Sequence, residues 1–385
     1  MQIHLGTSLA VLVLPLASGI ALLSSRTVQD PPAQDPPVVV QTVQPTEPVR
    51  IAFDPAVGLA LERSWEDEHD LLSESVRLMH GEASVPMAGQ MRLRSRHVLK
   101  VIDHFRELAD GRPTNLRRTF TECRRDSQMG FREMQGVNPT APMVQSSPLG
   151  KGVSVVFVWS PEESLYGRHY DATEGEEENL IGLEEDLDLG ALLPPEPVAV
   201  GASWNVEPTA LGQLFAPGGS IPYDLPRKTD PRLLRTLDSG LASGLDHTFR
   251  GQYAGTFVVS LREVRETDGR REAVLALESD FKVSSDQVEQ VQSKLGPAER
   301  AAGMVFQEAT LVLQFQGSGE LVWDLDGGFG RSLSMELEER AKQRLVFVTA
   351  KTMDAKDTQD MQMAGKLTIQ MSAQPIEPPP VPGGN

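Results

Sequence analysis

Histidine is the residue type in this sequence best suited to acid–base chemistry or metal binding. Seven are present, at positions 4, 69, 80, 97, 104, 169 and 247. None belongs to an H-E-x-x-H or H-x-H pair, so a metal site would have to draw on distant parts of the chain, from His69, His80, His97 or His104. His169 and Asp171 share one face of a predicted strand, but a single pair of this kind specifies no reaction.

Short motifs of nucleophilic, phosphate or redox chemistry are absent. The chain has no G-x-S-x-G, no Walker loop, no G-x-G-x-x-G after a strand and no C-x-x-C. Pro217-Gly218-Gly219 is not followed by Lys-Ser/Thr and indicates a turn. A hydrolase stays open as a third hypothesis, which requires Ser or Asp to meet His69, His97 or His169 in one pocket. We therefore predict no enzyme, with no catalytic residues, no cofactor, no metal ligands and an unknown ligand-binding site.

Two acidic stretches resemble cation sites without meeting their requirements. Asp324–Gly328 begins like a calcium loop, but the later oxygen ligands are not all in place, so a strand followed by a glycine turn is the better interpretation. Residues 175–186 are densely acidic, and such a run is usually a solvated loop or helix face.

Charge is unevenly distributed along the chain. The whole sequence has 36 basic and 54 acidic residues, a net charge of −18, which disfavours nucleic acids and anionic membranes as partners. Residues 92–132 contain 11 basic and 5 acidic residues, whereas 162–188 contain 11 acidic and 1 basic. The two stretches are either solvated or paired with each other. Alternatively, Arg92, Arg94 and Arg96 offer one strand face to an anionic ligand, with the acidic stretch as a lid.

Cys123 is the only cysteine, so an internal disulfide is excluded. We predict that it is a small buried side chain rather than a nucleophile. Four tryptophans lie in or beside predicted strands: Trp65, Trp159, Trp204 and Trp323. We interpret them as core residues, and the alternative is that some line an apolar ligand groove.

Alternating apolar and polar residues predict strands along most of the chain, about eleven in total. From Met91 to Val101 the apolar residues, with Ser95 and His97, share one face and the basic residues share the other. Asp268-Gly269 predicts one hairpin turn and Gln316–Gly319 a second. Further strands are predicted at 58–65, 71–79, 116–122, 153–159, 333–337, 343–349 and 366–371, and short helices at 286–295, 176–189 and 231–245.

The N-terminus carries an export signal. Residues 1–25 contain no Lys, Arg, Asp or Glu, and 9–23 have the length of a signal-peptide core. We predict that 1–23 is a signal peptide or, if uncleaved, an anchor that spans the membrane with residues 5–23. The protein is then exported, periplasmic or extracellular, and it contacts a membrane only if this segment stays uncleaved.

Four regions follow from composition. After 1–23 comes a Pro/Gln-rich linker at 24–49, predicted to be disordered. A single β-rich domain spans 50–373, and 374–385 form a disordered Pro-rich tail. A break near 195–200 offers an alternative domain boundary.

Three segments carry a resemblance: 198–206 (VAVGASWNV), 250–263 (RGQYAGTFVVSLRE) and 316–324 (QGSGELVWD). Together they resemble uncharacterised exported bacterial proteins, common in planctomycete-like genomes, whose domains look like the LolA-type curved half-barrel. The resemblance implies a concave sheet that holds acyl chains or lipoproteins, and it assigns no functional residues to this chain.

The fold class predicted is mainly β: a large antiparallel, strongly curved sheet or half-barrel with one to three short helices. The function predicted is that of an exported, non-enzymatic binding protein that holds an apolar or amphiphilic ligand, such as a lipid, on the sheet. The alternative is an envelope structural protein that binds a protein partner through a sheet edge or its tails. A solid core without a groove would count against the first of these.

Overall fold

The computed structural model describes residues 40–43, 47–86, 90–133, 136–139, 143–171, 174–224, 251–293, 295–350 and 356–378. Residues 1–23, most of the predicted linker and the helix predicted at 231–245 lie outside these ranges. No helix in the described part of the chain is long and apolar enough to cross a membrane.

One antiparallel sheet of 15 strands dominates the protein and confirms the predicted fold class. Its order is β1-β11-β12-β13-β14-β15-β2-β4-β5-β8-β9, while β10 pairs with β11, β3 with β2, and β6 and β7 with β5. The strands are β1 (Val40–Val43), β2 (Ala60–His80), β3 (Ala83–Pro86), β4 (Gln90–Ala109), β5 (Arg112–Glu133), β6 (Gly136–Pro139), β7 (Met143–Ser146), β8 (Val153–Ser160), β9 (Leu165–Tyr170), β10 (Ser203–Asn205), β11 (Gln252–Thr267), β12 (Arg270–Asp286), β13 (Val305–Asp324), β14 (Phe329–Val348) and β15 (Asp357–Ile376).

Helices are short in the described residues. The α-helices are α1 (Gly212–Phe215), α2 (Val288–Ser293) and α3 (Pro297–Ala301). The helix predicted at 286–295 corresponds to α2, and 177–180 form a 3₁₀ turn inside the stretch predicted at 176–189. Strands therefore carry nearly all of the architecture.

Pairing between the last and the first long strand unites the sheet. β15 is antiparallel to β2 from Asp357↔His80 to Ile376↔Ala60. This pairing joins the meander β11–β15 to the strands β2, β4, β5, β8 and β9, so residues on both sides of the break near 195–200 belong to one sheet.

β13 is longer than alternation predicts, because it contains glycines that the sequence pattern assigns to a turn. Gln316–Gly319 was predicted to be a hairpin turn, and this is wrong: these residues lie within β13. A Cβ atom on Gly317 would lie 2.2 Å from the carbonyl oxygen of Glu336, so glycine there permits close approach of β14. The turn is at 325–328, as the glycine-turn interpretation of Asp324–Gly328 predicted.

The other predicted hairpin is confirmed. Asp268 and Gly269, with φ of 55° and 74°, connect β11 to β12. Positive φ at both central residues is the geometry that Asp-Gly favours in two-residue hairpins.

Ordered structure extends past the predicted domain limits at both ends. β1 lies within the predicted linker and pairs with β11 from Val40↔Thr267 to Val43↔Val264. β15 continues to Ile376, three residues past the predicted limit of 373. Pairing with a neighbouring strand satisfies the backbone of both segments, whatever their Pro and Gln content.

Two segments of the chain lie on one face of the sheet, which we call the inner face. The crossing segment, residues 47–59, bonds by its backbone to Val198, Gly328 and Phe105 in turn. The inner segment, residues 174–224, adds a series of buried apolar side chains to the core; they are Leu180, Leu183, Leu187, Leu189, Leu192, Val206, Leu211, Leu214, Phe215 and Ile221. The apolar inner face is therefore covered by the protein's own chain.

Arg118 fastens the inner segment to the sheet. Its guanidinium, with 0% of the residue exposed, donates to both carboxylate oxygens of Asp103, at 2.7 and 3.1 Å. It also donates to the carbonyl oxygens of Glu184 and Glu185, each at 2.9 Å. A planar guanidinium with five N–H donors is suited to satisfying a carboxylate and two carbonyl groups together.

Arg63 adds a second attachment. It donates to the carbonyl oxygen of Leu187, and its Nε lies 3.6 Å from Oδ2 of Asp103. Burial lowers the pKa of Arg63, although the charge of Asp103 opposes this. Burial also acts to lower the pKa of Arg118, but the charge and hydrogen bonds of Asp103 outweigh it and raise that pKa. Two guanidinium groups thus share one buried carboxylate.

Replacing Arg118 with Met should destabilise the fold strongly, because Asp103 and two carbonyl groups would be left buried without their donor. We expect the free energy of unfolding in urea to fall by about 3–5 kcal/mol. Arg262→Met is the matched control: that arginine is exposed and pairs with Glu320 at 3.0 Å, so its loss should cost at most about 1 kcal/mol. Equal losses in the two variants would contradict this account.

Candidate functional site

A cavity of about 1020 Å³ opens at the end of the sheet where β4 turns into β5 and β8 into β9. Its lining comes from 50–54 of the crossing segment, from the turn at 110–113, from residues within 159–168, and from 184–195 and 210–213 of the inner segment. Turns and covering segments, rather than strand interiors, thus supply most of the lining.

One wall of this cavity is aromatic and cationic. The guanidinium carbon of Arg112 lies 3.9 Å from the centroid of the Trp159 ring, which packs on Tyr166 with centroids 5.1 Å apart. The Tyr166 hydroxyl donates to the carbonyl oxygen of Pro113 at 2.6 Å and so ties β9 to β5. Burial raises the pKa of Tyr166, which keeps the phenol protonated as a donor.

Carboxyl groups of the inner segment also line the cavity. Burial is the main cause that raises the pKa of Glu185, Asp186 and Asp188 above ordinary values. For Asp186, the charge of Glu184 adds to the shift and Arg118 opposes it. The prediction that the run 175–186 is solvated is therefore wrong at its end, because Arg118 draws this backbone onto the sheet.

Two polar atoms at the cavity have no hydrogen-bond partner among the described residues. They are Nε of Arg168, whose Nη1 donates to the carbonyl oxygen of Leu180 at 3.4 Å, and Oε1 of Gln213. A buried donor and a buried acceptor without partners are costly unless a bound molecule or water satisfies them. Both residues line the cavity, although these two atoms are themselves buried.

A second polar group interrupts the inner face farther along the strands. Asp67 of β2, His97 of β4 and Arg125 of β5 stand directly opposite one another in register. His97 donates from Nδ1 to Oδ1 of Asp67 at 3.2 Å, which leaves Nε2 to accept from the hydroxyl of Tyr223. The guanidinium carbon of Arg125 lies 4.6 Å from the centroid of the Tyr223 ring. We call these four residues the tyrosine relay.

His69 and Glu339 extend the relay. His69 donates from Nδ1 to Oε2 of Glu339 at 2.7 Å, and its Nε2 lies 3.8 Å from Oδ2 of Asp67. Glu339 is 0% exposed, and its Oε1 has no hydrogen-bond partner in the described part of the chain. Asp67 therefore lies next to both His69 and His97, but none of the three lines the cavity, so the hydrolase hypothesis, which required one shared pocket, stays a prediction.

The remaining candidate histidines do not join this group. His80 pairs with Asp357 at 2.5 Å, and His104 is half-buried, with burial lowering its pKa. His169 is exposed, and Asp171 pairs with two arginines of β4 and β5 instead. Within the described residues, no set of His, Cys, Asp and Glu is arranged to hold a metal ion.

Neighbouring strands neutralise the basic face of β4. Arg92 and Arg94 both bond to Asp70, and Arg96 forms two bonds of 2.7 Å with Glu66. The alternation predicted for 91–101 is confirmed, but the arginines pair with β2 rather than with the acidic stretch. This pairing removes the basis for an anionic ligand on that face.

The tryptophans divide between core and cavity. Trp65 and Trp323 are buried, which confirms the core interpretation for both. Trp204 is half-buried and donates to the carbonyl oxygen of Leu192 at 2.9 Å. Trp159 reaches the cavity, where it meets Arg112 rather than an apolar groove.

Comparison with known proteins does not identify a family for this chain. No protein-family model matches the chain, and no curated protein matches it. The crystal structure of an outer membrane channel from Pseudomonas putida F1 aligns with 87% of this chain and 100% of its own, with 7% identity and a TM-score of 0.22. A TM-score this low carries no argument about fold or function, so the resemblance to LolA-like proteins stays a prediction.

Asp186 provides a test of the buried carboxyl groups. Its pKa is raised in the folded state, so the folded protein binds more protons than the unfolded chain above the ordinary value of 3.8. Stability is therefore lost as pH rises through the raised pKa. Asp186→Asn keeps an acceptor for the amide of Gly218 and should be more stable than the parent in urea at pH 8, with a difference that shrinks towards pH 4. A constant difference across this range would contradict the assignment.

Cys123 should be unreactive in the folded protein. It is 3% exposed, as predicted, and burial raises the pKa of its thiol to about 12. At pH 8 only about one thiol in ten thousand is then ionised, and the thiolate is the nucleophile. We expect iodoacetamide to label the protein rapidly in urea and negligibly in buffer, as followed by intact mass. Rapid labelling of the folded protein would contradict the buried placement.

Proposed function

We propose that this protein binds a small hydrophilic molecule in the cavity at the β4–β5 end of the sheet. The observation that carries the proposal is a cavity of about 1020 Å³ lined by Arg50, Arg112 and Arg168 together with carboxyl groups of the crossing and inner segments. A cavity of about this volume is typical of small-molecule binding sites in proteins. We also propose export to the envelope, because residues 1–25 lack Lys, Arg, Asp and Glu.

The location of apolar surface argues against a lipid ligand on the sheet. Leucines of the inner segment and Phe215 already occupy the inner face, and Phe215 packs on Phe281 and Phe315 with centroids 5.4 and 5.0 Å away. An acyl chain would have to displace this core. Because the inner segment fills this face, the proposal moves from an apolar ligand on the sheet to a polar ligand in the cavity.

The charges around the cavity indicate the chemistry of the ligand. Three arginines line it together with six acidic residues; they are Arg50, Arg112 and Arg168, and Asp54, Asp110, Glu184, Glu185, Asp186 and Asp188. Guanidinium groups suit an anionic group such as a carboxylate or phosphate. The carboxylates suit hydroxyl or amino groups. A phosphorylated or acidic sugar combines these features, and Trp159 offers an aromatic surface beside them.

Binding can be followed through Trp159, one of four tryptophans in the chain. We would titrate the full chain with glucosamine 6-phosphate, glucuronate and glutamate at millimolar concentrations, recording tryptophan fluorescence and the Tm. The expected result is a saturable change in fluorescence and a rise in Tm with at least one of the three. Arg168→Met should weaken that binding by tenfold or more, about 1.4 kcal/mol.

Arg262→Met is again the control, because Arg262 is exposed and outside the cavity. It should bind as the parent does. Saturable binding that Arg168→Met leaves unchanged would refute the cavity as the site. Absence of binding by all three probes, together with a lipid extracted from protein purified from its native cells, would favour the apolar-ligand hypothesis instead.

A further inference from the structure

The tyrosine relay has the connectivity of a catalytic triad with a phenol in place of a serine hydroxyl. The Tyr223 hydroxyl bonds to Nε2 of His97, and Nδ1 of His97 bonds to Asp67 at 3.2 Å. In such an arrangement the imidazole accepts the proton of the nucleophile while the carboxylate fixes the ring and its tautomer. The sequence alone does not reveal this arrangement, because Tyr223 is 126 residues from His97.

Several contacts hold the nucleophile in place. Asp224, the next residue, donates its amide to the carbonyl oxygen of Ser146 at 2.9 Å, and Ile221 is buried in the core. The Tyr223 ring meets the His97 ring edge-on, with centroids 5.8 Å apart and an angle of 83°. The phenol therefore stays beside its base without an added ligand.

Charged side chains of neighbouring strands lie close to Tyr223 and His97. The Arg125 guanidinium lies against the Tyr223 ring, where a cation is attracted to the ring and stabilises negative charge on its oxygen. Asp67 of β2 bonds to His97, and Glu339 of β14 connects to Asp67 through His69, which lies between the two carboxylates.

We propose that Tyr223 and His97 are catalytic residues of a hydrolase for neutral carboxylic esters, with Asp67 as a positioning residue. The carboxylates of Asp67 and Glu339 repel a phosphate dianion, whereas an ester carries no net charge. This activity is separate from the cavity: 13 residues separate Asp110 from His97 along β4, roughly 40 Å of strand.

The reaction proceeds in two steps. Tyr223 Oη attacks the carbonyl carbon while its proton passes to Nε2 of His97. The carbon–oxygen bond to the alcohol breaks, and the alcohol leaves with the proton from His97. Water then attacks the acyl–tyrosine ester and gives a proton to His97. The carboxylic acid product departs as Tyr223 recovers its proton.

The test uses p-nitrophenyl acetate and the full chain. We expect a burst of p-nitrophenolate, with an acetyl group located on Tyr223 by peptide mass spectrometry. Tyr223→Phe should abolish the burst, and His97→Gln should slow acylation by a factor of about 10²–10⁴. Asp67→Asn should lower kcat at an unchanged KM. Tyr170→Phe is the control and should behave as the parent, because Tyr170 bonds to the backbone of Glu176 outside the relay.

Circular dichroism and Tm would establish that each variant is folded. A burst that survives in Tyr223→Phe, or acetyl groups on lysines or other tyrosines, would overturn the proposal. So would the absence of any acetylated peptide from the parent protein, which needs no variant at all.

Discussion

The buried pairing of Arg118 with Asp103 is the interaction on which the rest of the structure depends. A sheet with one apolar face needs a cover, and here the cover is a largely irregular segment whose backbone polar groups need partners. Arg118 supplies donors to the carbonyl groups of Glu184 and Glu185 while Asp103 balances its charge. Without this pair, the inner segment would have to bury free carbonyl groups against the strands.

The inner segment also determines where the two polar sites, the cavity and the tyrosine relay, lie on the sheet. Its stretch at 184–188 is drawn onto β5 and places carboxyl groups at the cavity. Its end carries Tyr223 to the row formed by Asp67 and His97. One covering segment therefore contributes to two polar sites at different levels of the same strands. Between them it is apolar, and there it packs as core.

The sequence predicts the strands well, because a sheet with one buried face imprints a period of two on each strand. It predicts the polar sites poorly, because they depend on register. Asp67 and His97 are 30 residues apart and meet only because β2 and β4 pair as they do. The local sign of this polar group is that Asp67 and His69 lie on a strand face that is otherwise apolar. That sign indicates a site only once the structure shows His97 beside Asp67. The acidity of 184–188 likewise gave no indication that Arg118 would bury it.

The polar groups around His97 lie on a face of the sheet that is otherwise apolar. Replacing buried polar and ionic groups with apolar residues of similar volume is often neutral or stabilising. Here the chain keeps Asp67, His69 and a fully buried Glu339 on the face that elsewhere carries leucine and phenylalanine. The Arg118 cluster has a structural purpose, since it holds the cover in place. Glu339 bonds to His69, which lies next to Asp67, the partner of His97, so these residues and Tyr223 form one connected polar group on the inner face.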